Sequence, residues 1–93
     1  MPMTLPDDIV AKVGSDFPTS ADREFVLQAL ANLGVEERDR VARCVLFCAA
    51  GDMVEFRAML TMAQLDYRDA IMNAEYEPSP LKRVRNFIEP FAT

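Results

Sequence analysis

The chain has 93 residues and a net charge of −5, with 51% hydrophobic and 27% charged side chains. This length allows one domain and leaves no room for a second core; such a chain buries only about 60–65% of its unfolded surface and often leans on a partner. The composition excludes a disordered chain, and the acidic balance disfavours polyanions, because duplex affinity comes largely from neutralised phosphates.

The charge is uneven. Residues 1–80 carry seven basic and fourteen acidic side chains, whereas residues 81–93 carry Lys82, Arg83 and Arg85 against Glu89 alone. The basic tail is expected to dock on the acidic body. The amino terminus has no basic stretch followed by an apolar run, and no apolar stretch approaches about 18 residues. No membrane association is expected, and a reducing cytoplasm suits the two cysteines.

In chain order, Thr4 and Asp7 form a weak capping box, and Pro6 suits a first turn. Ile9, Val10 and Val13 then give one apolar face, predicting a short helix over 6–13 that Gly14 ends. Phe17-Pro18 breaks the chain, since the residue before proline avoids helical geometry. Thr19 and Ser20 can cap a second helix, over 20–33. In it Phe25, Val26, Ala29, Leu30 and Leu33 recur at steps of three and four, and Gly34 sits where a left-handed cap belongs.

The third segment, 36–50, has two unlike halves. Its start pairs Glu36 with Arg40 and Asp39 with Arg43, four apart with the acid first. Such pairs contribute about 0.2–0.5 kcal/mol each and mark an exposed beginning. From Cys44 to Ala50 seven apolar residues follow in a row, covering every side of a helix and predicting burial all round. Gly51 ends the segment and Asp52, with Glu55, caps the next one, so the two form an antiparallel hairpin.

The fourth segment runs from Met53 to about Asn73, with Phe56, Leu60 and Ala63 on one face. No glycine or proline interrupts it, so at most a kink is expected near Leu65, although Asp66 and Asp69 are able to cap a new helix. Pro78-Ser79-Pro80 ends the helical region. Ser79 as cap and Pro80 at the first helical position predict a last short helix through Ile88. No period-two alternation predicts a strand.

The predicted fold is all-α: a single compact domain of four to five helices around a central antiparallel hairpin, about 36–50 and 53–73. A short helix and loop (1–18) precede it, and a short helix and tail (79–93) follow. Residues 46–63, with an Ala-Ala-Gly-Asp turn followed by Val-Glu-Phe-Arg, resemble one helical hairpin of an ankyrin-type solenoid repeat. The Thr-Pro-Leu-His signature is absent and no second copy recurs at a period near about 33 residues. The resemblance therefore implies a helical hairpin and carries no function.

The chemistry is sparse. The chain has no histidine, which removes the commonest general base and nitrogen ligand. Its three glycines, at 14, 34 and 51, build no phosphate-cradling loop. Cys44 and Cys48 stack on one helix face, where thiols usually pack as small hydrophobes and where apolar surroundings raise a thiol pKa. Asp52, Glu55, Asp66 and Asp69 are better read as caps than as a divalent-cation or acid–base set. Met53, Met59, Met62 and Met72 fit a core better than an adaptable groove.

No catalytic, cofactor or metal site is predicted, and no small-molecule ligand. The candidate partner-binding residues are Tyr67, Arg68, Tyr76, Lys82, Arg83 and Arg85, because tyrosine and arginine are favoured at interface hot spots. The expected function is a non-enzymatic protein-interaction or regulatory module, its partner another protein or a second copy. The alternatives are a nucleic-acid-associated regulator using helix-turn-helix geometry, which lacks a basic recognition helix, and a carboxylate-dependent metal protein.

Overall fold

The computed structural model of the chain describes residues 5–78 and 81–91. Its fold is all-α. Among the described residues five helices pack together: α1 (Asp7–Asp16), α2 (Ser20–Ala31), α3 (Arg38–Ala49), α4 (Met53–Leu65) and α5 (Tyr67–Glu75). α3 is the central post, packed chiefly on α4 and α5 and also touching α1.

Local chemistry explains most helix ends. α1 runs past Gly14, which takes helical geometry, and stops only where Phe17 turns extended before Pro18. The Thr4 cap lies outside the described residues. α2 ends at Asn32, and Gly34 is not left-handed; the positive-φ residues are instead Glu37, Ala50 and Gly51. Glu37 precedes α3, and Ala50 and Gly51 make the sharp corner that returns the chain into α4. Asp52 Oδ1 then accepts the amides of Val54 and Glu55, at 2.8 and 3.2 Å, as its position predicts.

The long fourth helix is two helices. Asp66 leaves helical geometry and its side chain accepts the Arg68 amide, so an aspartate cap does what neither glycine nor proline was there to do. α5 comes back against both α3 and α4, burying Ala70, Ile71, Ala74 and Glu75.

The carboxyl-terminal helix predicted through Ile88 does not form among the described residues, and its proposed Ser79 cap and Pro80 lie outside them. A two-stranded antiparallel hairpin stands there instead, β1 (Tyr76–Pro78) and β2 (Leu81–Arg83), with Tyr76 opposite Arg83, Glu77 opposite Lys82 and Pro78 opposite Leu81. An arm of turns, residues 84–91, follows. The helical pattern loses because the arm's main chain is required elsewhere: the Glu75 carbonyl accepts the amides of Val84 and Arg85, at 2.7 and 3.2 Å.

The core contains Ile9, Val13, Phe17, Val26, Leu30, Leu46 and Phe56, all fully buried or nearly so. The predicted division of α3 is reversed in part. Val41 and Ala42, in the half expected to be exposed, are buried, and Arg43 is only 6% exposed. Within the apolar run, Cys44, Val45, Leu46 and Ala49 are buried, but Phe47 is 38% exposed and Ala50 faces out. The cause is α5 and the arm, which cover the charged half through ion pairs and leave one side of the apolar half to water.

Candidate functional site: two ion-pair clamps and the carboxyl-terminal arm

Arg40 and Arg43 lie on α3 and find acids far away in the chain. The local pairs expected of them, Arg40 with Glu36 and Arg43 with Asp39, are replaced. Arg40 binds Glu75 through two bonds, Nε to Oε2 at 2.9 Å and Nη2 to Oε1 at 2.7 Å, and also reaches Glu37 at 3.1 Å. Arg43 binds Asp8 in the same two-pronged way, at 2.9 and 3.1 Å. Planar fork-to-carboxylate geometry is the strongest form of such a pair.

Each clamp also grips the arm. Glu75, with no exposed surface, accepts the Phe87 amide at 3.0 Å and Arg83 Nε at 3.0 Å. Arg43 Nη1 donates to the carbonyls of Phe87 and Ile88, at 3.1 and 3.2 Å. Asp8 Oδ2 accepts the Phe91 amide at 3.0 Å. The Phe87 ring lies 5.3 Å from that of Phe47 and 5.7 Å from that of Phe91. Lys12 Nζ stands 5.6 Å from the Phe91 ring centroid and Arg85 Cζ 4.5 Å from that of Phe47.

These contacts keep both acids charged. Burial pushes the Glu75 carboxyl up, but the bonds from Arg40 and the Phe87 amide, with the charges of Arg40 and Arg83, bring it below the ordinary carboxylate range. The Arg43 hydrogen bonds hold Asp8 low against a smaller burial effect, with help from the Phe91 amide. Burial first, and then the Glu75 charge, pushes the Cys44 thiol up to about 12. Burial raises Cys48 too, partly offset by Arg85. The clamp carboxylates and the thiols are thus moved away from neutrality, where an acid–base catalyst works best.

The residues expected to bind a partner fall into two groups. Tyr76, Arg83 and Arg85 come together at the hairpin and arm, with Lys82 in register opposite Glu77. Arg83 is spent on Glu75 and on Asn86 Oδ1, at 2.6 Å, while Arg85 donates to the Ala74 carbonyl at 3.0 Å and reaches Glu77 at 3.5 Å. The basic tail therefore docks on the acidic body. Tyr67 and Arg68 stand at the other end of α5: the Tyr67 hydroxyl donates to Glu36 at 3.5 Å, and the exposed Arg68 pairs with its neighbour Asp66 at 3.1 Å.

Sequence reasoning missed Asp8, Arg40, Arg43 and Glu75 as a set. The available signal was positional: Arg43 lies one turn before the apolar Leu46 and Glu75 one turn after the apolar Ile71, on helix faces that are buried and where a solvated charge has no place. Beside the clamps, an open cleft of about 540 Å³ is lined by Glu37, Arg38, Asp39, Arg40, Arg43 and Ile88. Its arginines are paired within the protein, Arg38 with Asp39 at 2.9 Å, so it offers little free positive charge to an anion. Among the described residues no three acids or thiols stand close enough to hold a metal ion, and no helix is long and apolar enough to cross a membrane.

No family model, curated protein or solved structure matches the chain.

Proposed function

We propose that the chain is a non-enzymatic protein-interaction module whose partner is another protein or a second copy of itself. The observation that carries this reading is an uncharged stripe left in water on α4. Val54 is 75% exposed and Leu65 83%. They lie about three turns apart on the same side of the helix, with exposed Ala58 and Thr61 between them. Meanwhile the clamp arginines and carboxylates are consumed in holding the fold together. A domain that spends its strongest polar groups internally, and leaves large apolar side chains outside, is built to be covered.

The nucleic-acid reading loses its main support, since Arg83 and Arg85 direct their charge at Glu75 and Glu77. The metal reading loses Asp52 and Asp66, both of which serve as caps. The cytoplasm is the proposed compartment, because Cys44 and Cys48 are both free and a reducing environment keeps thiols so.

The test is association measured by sedimentation over a wide concentration range, together with capture from lysate, for the native chain and for a Val54→Glu, Leu65→Glu double variant. Self-association or a captured protein, lost in the double variant while the circular dichroism spectrum is retained, is the expected result. A native chain that stays monomeric and captures nothing, or complexes indifferent to both substitutions, would remove the reading.

A further inference from the structure

The arm is anchored one way as far as Asn86 and another way beyond it. The Val84 and Arg85 amides bond the Glu75 carbonyl, and the Arg85 side chain reaches the Ala74 carbonyl at 3.0 Å. Asn86 Oδ1 accepts Arg83 Nη2 at 2.6 Å. From Phe87 onward, among the described residues, three side chains hold the main chain to the helices. Glu75 accepts the Phe87 amide, Arg43 donates to the Phe87 and Ile88 carbonyls, and Asp8 accepts the Phe91 amide.

Little apolar surface goes with those bonds. Of residues 87–91 only Phe87 is buried; Ile88 is 55% exposed, Glu89 and Pro90 lie in water, and Phe91 is partly buried. The other buried hydrophobic side chains belong to residues 5–74. Release strands no charge either: Asp8 keeps both bonds from Arg43, and Glu75 keeps both from Arg40. A buried charge left without its partner is the usual large penalty for parting such groups. Without that penalty, and with the helical core still closed, detachment costs far less than unfolding.

The attachments are also coupled. The Arg43–Asp8 ion pair holds both ends of the segment, Arg43 through the Phe87 and Ile88 carbonyls and Asp8 through the Phe91 amide. The Phe87 and Phe91 rings meet edge to face, 5.7 Å apart. We propose that residues 87–91 form a strap, hinged at 84–86, that opens and closes as one unit while the five helices stay folded. Closed, it covers one side of Phe47, whose ring lies 5.3 Å from that of Phe87. Open, it bares that side and leaves Arg43 Nη1 and one oxygen each of Asp8 and Glu75 to water. The α1–α3 face thus has a hidden and a shown state. This device stands apart from the α4 stripe and does not depend on it.

The test is amide hydrogen exchange of the full chain, followed by NMR in water and in urea too dilute to unfold it. The Phe87 and Phe91 amides should share one protection factor, roughly a hundredfold or more below that of the best protected α3 amides. Urea should change it little, because a small opening exposes little surface. In Phe87→Ala the Phe91 amide keeps its own acceptor, Asp8, yet should exchange roughly tenfold or more faster, with α3 unchanged. Protection factors for Phe87 and Phe91 that differ by more than about tenfold, or a Phe91 amide indifferent to Phe87→Ala, would show that the segment frays piecemeal and overturn the strap. Protection equal to that of α3 in the native chain, or its loss throughout Phe87→Ala, would show that arm and helices open together and overturn it as well.

Discussion

Arg40 and Glu75, 35 residues apart in the chain, meet through two hydrogen bonds of 2.9 and 2.7 Å, and the carboxylate they share is completely buried. Removing the arginine leaves that charge with Arg83 and one amide. Arg40→Ala should cost about 3–5 kcal/mol, the usual result of stranding one member of a buried pair. Arg40→Lys should recover only part of it, because an ammonium cannot span both oxygens. Urea unfolding followed by circular dichroism measures both; a loss below about 1 kcal/mol for Arg40→Ala would show that the pair contributes little.

Acid should unfold the protein through the same groups. The carboxyls of Glu75 and Asp8 have lowered pKa values in the fold, so the folded state binds protons less readily than the unfolded one. Their stabilisation is fully present above the ordinary carboxylate range and is lost as pH falls through the depressed values. Stability measured against pH should be flat near neutrality in this respect and decline on the acid side. In Glu75→Gln the decline should be shallower, from a lower starting stability; an unchanged slope would exclude Glu75 as a source.

Asp8 ties the end of the arm to α1 and α3. Asp8→Ala should speed hydrogen exchange at the Phe91 amide, which loses its acceptor, while amides in the middle of α3 keep their protection. Uniform acceleration across the chain would mean that the arm and the helices open as one unit.

Two glycines should respond oppositely to alanine. Gly51 has φ +81°, and a Cβ there would stand 3.1 Å from the Asp16 carbonyl oxygen, so Gly51→Ala should destabilise by roughly 1–2 kcal/mol. Gly14 lies inside α1, where a Cβ meets nothing within 4 Å, so Gly14→Ala should stabilise by about 0.5–1 kcal/mol. Thermal melts of the two variants decide both signs.

Leu46 tests the central post. It is completely buried, and Leu46→Ala should cost about 2–5 kcal/mol by equilibrium unfolding. A smaller loss would place the main support of the core elsewhere. Cys44, two residues away and also buried, should resist a thiol reagent at neutral pH until the protein unfolds, with Cys48 reacting first.

The helical class, the α3–α4 corner and the central position of residues 41–49 were legible in the chain because each depends on neighbours within a few residues. Apolar spacing, the Gly51-Asp52 pair and the Phe17-Pro18 break act locally, so they can be read locally. Even Asp66 was visible as a cap, although whether it would interrupt the helix depended on α5 finding a place against α3 and α4.

What the sequence by itself determined is which stretches become helices and which of their faces are apolar. Only the tertiary structure decided which charges meet. An i,i+4 pair such as Glu36 and Arg40 is worth a few tenths of a kcal/mol in water, too little to hold Arg40 once folding brings the Glu75 carboxylate into a site without solvent. The same demand from Glu75, for the Phe87 amide and Arg83, draws residues 81–88 out of the helix their spacing predicts and into a hairpin and arm. Acids and arginines 35 positions apart carry no periodic signature. Their pairing exists only once α1, α3 and α5 have packed and water has left the space between them.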